Sequence, residues 1–168
     1  MKRLALVFIM LLSVMSAVAQ TRFVHTFGLG TGISFADGYV LDACPEFGFG
    51  YDFDGKNTIG LTAQAEIPYF VNGNRGKGSL LNVFLFHDYY LDVFNKPGYL
   101  QYEIGLADIT RSVGAHVGLE WGFRFNTDGK APIVVGLSVD GNDVTNVPEA
   151  VSPRSFWITA GLVFRVEL

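Results

Sequence analysis

From Val113 to Phe125 the chain reads Val-Gly-Ala-His-Val-Gly-Leu-Glu-Trp-Gly-Phe-Arg-Phe. Val113, Ala115, Val117, Leu119, Trp121, Phe123 and Phe125 fall on one side of this stretch; Gly114, His116, Gly118, Glu120, Gly122 and Arg124 fall on the other. A period of two is the mark of a β-strand, whose successive side chains point to opposite faces. The C-terminal stretch repeats the pattern, with Phe156, Ile158, Ala160, Leu162, Phe164, Val166 and Leu168 opposite Trp157, Thr159, Gly161, Val163, Arg165 and Glu167. Phe47, Phe49, Tyr51 and Phe53 alternate in the same way with Glu46, Gly48, Gly50 and Asp52.

Eight such segments are read, at about 22–34, 45–53, 57–69, 79–93, 99–107, 112–125, 131–140 and 155–168. With the rim residues Pro45, Asn57 and Ser79 set aside, their apolar faces hold 46 positions, of which 43 are hydrophobic. The exceptions are His25, Thr31 and His87, and none of the 46 is Asp, Glu, Lys, Arg or Gly. Of the 20 glycines, 12 lie on the opposite face of a strand. The two faces therefore meet different surroundings. Asp54-Gly55-Lys56, Asn95-Lys96-Pro97-Gly98 and Asn126-Thr127-Asp128-Gly129 carry tight-turn residues. They alternate with connections at about 35–44, 70–78, 108–111 and 141–154, mostly longer. The expected fold is all-β: an eight-stranded antiparallel up-and-down barrel with its first and last strands paired.

Composition bounds the remaining choices. Of 168 residues, 49% are hydrophobic, 14% aromatic and 17% charged, against about 25% charged in ordinary soluble domains. Abundant aromatics with little charge exclude a disordered polyelectrolyte. A single cysteine, Cys44, excludes a disulfide scaffold and reads as a lone thiol near a loop. A net charge of −4 argues against a nucleic-acid partner. Lys2 and Arg3, the apolar run Leu4 to Leu12, and Ala17-Val18-Ala19 follow the order of a secretory signal peptide. Residues 1–19 are thus expected to be cleaved, leaving 20–168 as one barrel domain that starts at Gln20.

Size decides which face looks outward. An eight-stranded barrel has an interior just wide enough for side chains to fill. Forty-three mostly large apolar side chains do not fit in it, whereas Gly, Thr, Ser, Gln and a few charges do. The apolar face is therefore expected to face lipid, where a midplane Arg or Lys costs about 2–4 kcal/mol. This makes the barrel a transmembrane one. The competing arrangement is a soluble secreted ligand-binding barrel with an inward apolar cavity. Tyr51, Phe53, Tyr69, Phe70, Phe123 and Phe125 sit at strand ends, as interfacial aromatic girdles do.

On these features the chain resembles the small eight-stranded outer-membrane barrels of the OmpX and OmpA-transmembrane-domain type. Its last strand looks like the insertion signal read by the barrel-assembly machinery: Thr159, Gly161, Phe164, Val166 and Leu168, with leucine where the family usually ends in Phe or Trp. The resemblance implies a porin-like cell-envelope protein of the bacterial outer membrane. Its partners would be membrane lipid, lipopolysaccharide and the assembly machinery, and it would act as a monomer without a cofactor.

The inward face is expected to carry Glu66, Asp88, Glu103, His116, Glu120, Arg124 and Arg165, with Asp88 beside Glu103 and Glu103 near His116. Buried charge must be paired or neutralised, so these groups are read as a hydrogen-bonded network that closes the lumen, helped by bulky Phe84, Phe86, Tyr90 and Trp157. The alternative is a narrow cation-preferring pore, because a ring of acids selects cations. The expected role is structural or surface-binding through the extracellular loops. No enzyme is expected: in the lipid A deacylase type, His and Ser lie two apart on one strand, but here His25, His87 and His116 are followed two residues on by Phe27, Tyr89 and Gly118. No metal or phosphate motif is present. His87 is the oddest outward residue and reads as a bulge, a register shift or a headgroup contact. In the loops, Arg75 and Lys77 are candidates for contact with lipopolysaccharide phosphates, and 141–154 is long and polar.

Overall fold

The computed structural model describes residues 23–168 except 37, 77, 111–112, 129–130 and 145–155. The expected cleavable leader at 1–19, Lys77 and most of the 141–154 loop lie outside the described residues. Eight long strands form the wall: β1 (Phe23–Ala36), β2 (Gly38–Asp52), β3 (Asn57–Val71), β5 (Leu80–Val93), β6 (Lys96–Ala107), β7 (Gly114–Phe125), β8 (Ile133–Asp143) and β9 (Phe156–Glu167). The two-residue strand β4 (Asn74–Arg75) folds back on the end of β3.

Each wall strand pairs antiparallel with the next, and β1 pairs with β9 from Thr26↔Glu167 to Phe35↔Ile158. Backbone hydrogen bonds between His25 and Leu168, 2.9 and 2.7 Å long, finish that seam. The wall closes on itself, so each of its eight strands has a hydrogen-bonded neighbour on both sides.

The alternation keeps its parity along the wall strands except at the end of β3, where Tyr69 and Phe70 are both exposed. Leu29, Leu85, Ile104 and Leu162 point outward and are 55–65% exposed, while Phe84, Trp157, Glu120 and Arg165 of the other parity are 1–3% exposed. The inward-apolar alternative is thereby overturned. Among the three polar exceptions on the outer face, the Thr31 hydroxyl donates to the backbone oxygen of Asp42 at 3.0 Å. His87 sits in an unbroken ladder, opposite Ile59 and Tyr102. The expected bulge at His87 is absent, and its Nε2 lies 3.1 Å from Asn57 Oδ1 near the short-turn end.

The structure redraws several connections. The described residues of the expected loop at 35–44 are strand: β1 and β2 pair up to Ala36↔Gly38. Cys44 consequently lies in mid-strand, buried, its thiol 3.6 Å from Asp42 Oδ1. The turn expected at 95–98 is Phe94-Asn95, both at positive φ (52° and 60°), and Lys96 to Gly98 already belong to β6. Within 70–78, Asn72-Gly73 (φ 48° and 81°) makes a tight hairpin between β3 and β4. A register shift near Leu41/Asp42 leaves Tyr69 unpaired with β2. An extra residue of this kind bends a strand and resets its faces, so Tyr69 and Phe70 are both exposed. The Asp54 turn is held by its carboxylate, which accepts from the backbone N–H of Lys56 (2.9 Å) and Asn57 (2.8 Å). Those bonds, the Lys56 one foremost and Asn57's side chain next, hold the Asp54 carboxyl below its usual range.

Inward glycines make room for large neighbours. A methyl group on Gly60 would lie 2.3 Å from the Phe49 carbonyl oxygen and 2.5 Å from the Phe86 ring, whereas one on Gly141, which shares the outward parity of Val117 and Ile158, would meet nothing nearer than 3.5 Å. Forcing bulk into a packed site costs typically about 1–3 kcal/mol. Gly60→Ala should therefore lower folding stability by about that amount, and Gly141→Ala should stay within about 0.5 kcal/mol of the parent. Urea unfolding in detergent micelles, followed by tryptophan fluorescence, measures both.

Candidate functional site

The lumen is filled by stacked tiers of polar side chains. Nearest the short turns, the Arg124 guanidinium lies over the Tyr90 ring, 3.8 Å from its centroid. Arg124 also donates twice to Glu167 Oε2, from Nη2 at 2.5 Å and Nε at 3.2 Å. The Tyr90 hydroxyl donates toward Asp88 Oδ2 (3.3 Å) and Glu167 Oε1 (3.4 Å). The cation is thus clamped between a carboxylate and an aromatic face.

The next tier centres on Arg165, reaching in from β9 and 3% exposed. Its Nη1 donates to Gln101 Oε1 at 2.6 Å. Three carboxylates surround it, with Glu120 at 3.4 Å, Asp88 at 3.7 Å and Glu46 at 3.8 Å. Tyr99 donates its hydroxyl to Glu120. Arg165 Nε and Nη2, Glu46 Oε1 and Asp88 Oδ1 have no hydrogen-bond partner among the described residues. At these distances the ion pairs act by charge proximity, which carries further between buried groups than between exposed ones.

Above Arg165, His116 Nε2 faces Glu103 Oε2 at 3.1 Å and His116 Nδ1 faces Asn142 Oδ1 at 2.8 Å. Phe84 stacks on the imidazole at 4.6 Å. Gln101 donates to the other oxygen of Glu103. Toward the loops, Trp157 Nε1 donates to Glu66 at 3.1 Å, and the Ser34 hydroxyl donates to Asp42 at 2.7 Å. Leu80, Ala107, Val144 and Trp157 then form a buried apolar plug at the loop end.

All seven residues expected in the interior face the lumen. Their neighbours differ in one respect: Asp88 is opposite Gln101, and Glu103 lies between Phe86 and Gly118, so Asp88 and Glu103 are not direct cross-strand partners. Four luminal carboxylates were not among the seven: Asp42, Glu46, Asp140 and Glu167. The parity of Glu46 and Glu167 with the inward glycines already marks their direction; Asp42 was hidden in the supposed loop at 35–44. Of the suggested loop contacts, Arg75 is exposed beside Asn74 in β4. Of the suggested insertion signal, Phe164 and Leu168 point outward at 49% and 57% exposure, and Thr159 points into the lumen.

No protein-family model matches the chain, and no curated protein matches it. Among solved structures, the crystal structure of Neisserial surface protein A (NspA) superposes with a TM-score of 0.61 at 12% identity, covering 87% of this chain and 96% of that one. At that identity the likeness is one of fold. The chain is a closed eight-stranded antiparallel barrel that shares its fold with that surface protein.

Removing one partner of a buried charge cluster leaves the others uncompensated and costs about 3–5 kcal/mol. Arg165→Met should therefore destabilise the barrel by about that amount, and Arg165→Lys, which keeps the charge, by distinctly less. The shift of the urea midpoint in micelles checks both variants.

Proposed function

We propose that the protein is an integral outer-membrane barrel with a largely closed polar core, acting structurally or as a surface-binding protein through the loops at its plugged end. One observation carries this reading. Large apolar side chains cover the outside of the wall, and the charged groups of the mid-strands lie inside it. A protein surface of that kind is unfavourable in water and suits acyl chains. Strands of 11–15 residues meet or exceed the ~9–11 needed to cross a bilayer at a tilt. The likeness to NspA agrees with an outer-membrane location. In this reading the C-terminal residues Thr159 to Leu168 guide insertion, Arg75 and Lys77 meet lipopolysaccharide phosphates, and the barrel works as a monomer without a catalytic step.

The excess of luminal carboxylates over Arg124, Arg165 and His116 favours one further reading, a narrow cation-preferring conduit. The stacked tiers and the apolar plug favour the closed state.

Cell fractionation tests the location: the protein should enter the outer-membrane fraction, require detergent for extraction and run faster on gels unboiled than boiled. Recovery as a detergent-free soluble species in the periplasm would refute the proposal. Planar bilayers separate the two membrane readings. The closed core gives no steady conductance, while reproducible cation-selective steps that shrink with Glu103→Gln would establish the conduit.

A further inference from the structure

Three adjacent strands bring one imidazole and two carboxylates to the same height of the lumen. Glu103 on β6, His116 on β7 and Asp140 on β8 each offer a donor atom, and these atoms all lie within 4.8 Å of one another. Glycine makes the convergence possible. A methyl group on Gly118, between them on β7, would lie 2.5 Å from Glu103 Oε2 and 2.7 Å from Asp140 Oδ1. Two carboxylate oxygens thus share the space that a side chain would occupy.

Like charges this close and buried strongly favour a proton or a cation between them. Arg165 serves a different set, Glu46, Asp88 and Glu120. Arg124 serves Glu167. Among the described residues no arginine or lysine pairs with Glu103 or Asp140.

Both ends of the His116–Glu103 pair are oriented from behind. An amide oxygen, Asn142 Oδ1, sits 2.8 Å from Nδ1. An oxygen in that place suits the tautomer with its proton on Nδ1, which leaves Nε2 toward the carboxylates. Gln101 fixes Glu103 by donating to Oε1, leaving Oε2 toward the cluster. Hydrogen bonds of this kind behind an imidazole and a carboxylate are what orient metal ligands. Beside Asp140 lies a small cavity of about 10 Å³, lined also by Ser138, Thr159, Gln64 and Cys44. That is close to the least space one water needs.

We propose that Glu103, His116 and Asp140 form a binding site for a divalent transition-metal cation inside the lumen, with Asn142 and Gln101 as positioning residues. One imidazole and two carboxylates suit zinc and leave its fourth position for a water. The cation offsets the two converging carboxylates and ties three wall strands together at one level. The site depends on the closed lumen and not on the membrane location, so a barrel found in another compartment would still carry it.

The test uses the full barrel refolded in detergent with zinc chloride, washed with EDTA while folded, and assayed for metal by mass spectrometry. About one zinc per chain should survive the wash and be released on boiling. His116→Gln and Asp140→Asn should each lower retained zinc by at least ~10-fold, the loss that even an outer-shell change can cause. His25→Ala and His87→Ala should leave it unchanged. Only the folded, fast-migrating species is scored. A parent barrel that retains no zinc, or equal retention in His116→Gln and Asp140→Asn, overturns the site. Should those two variants fail to fold, the parent refolded with Co²⁺ decides. Retained visible absorption without a thiolate charge-transfer band supports nitrogen and oxygen ligation; loss of cobalt to EDTA, or a thiolate band from Cys44, overturns it.

Discussion

The whole molecule depends on the pairing of β1 with β9. Once that seam is made, every wall strand has a neighbour on both sides, and the paired backbone groups need nothing from their surroundings. Only a wall of that kind can stand in hydrocarbon, because an unpaired backbone group there costs several kcal/mol. Closure also turns the strand's period of two into an inside and an outside. A slip of one residue at any ladder would carry arginine or glutamate to the outer face and phenylalanine to the inner one. The sorted faces therefore fix the register.

Within the lumen, register is reinforced by shape as much as by charge. Phe86 fills the space left by Gly50 and Gly60, and the Tyr99 hydroxyl overlies Gly136. Large side chains from β5 and β6 thus reach walls that carry none of their own at those heights. The arginines complete the arrangement from the other side of the barrel. Arg165 binds together β2, β5, β6 and β7 through Glu46, Asp88, Gln101 and Glu120. Arg124 ties β7 to the final strand through Glu167. Such long-range links cross the lumen and tie distant strands of the wall to one another.

Much of this could be read from the chain because one rule, strict alternation, governs nearly every wall residue. The segment 112–125 shows the reason most clearly: its glycines and charges share one parity, and that parity survives in the fold. Where reading failed, local chemistry and cross-strand geometry diverged. Asp37-Gly38 and the polar Asp42 resemble a loop, yet Asp42 is polar because it faces the lumen and Ser34. Asn95-Lys96-Pro97-Gly98 holds turn residues, but the ladder Val93↔Lys96 places the reversal at Phe94-Asn95. His87 looked like a defect in the outer face, but lies close enough to the short-turn end to bond Asn57. The luminal partners were the least legible part. Which acid meets which base depends on residues far apart in sequence, such as Trp157 with Glu66, and no local pattern encodes that pairing.

The two tryptophans offer the most direct trial of the account. Trp121 points outward and is 40% exposed, while Trp157 points inward and is 1% exposed. The measurement is fluorescence quenching by lipids brominated along the acyl chain, in vesicles holding either Trp157→Phe or Trp121→Phe barrels. Strong quenching of Trp121 and little of Trp157 is the predicted result. Equal protection of Trp121, or selective quenching of Trp157, would contradict the assignment of faces.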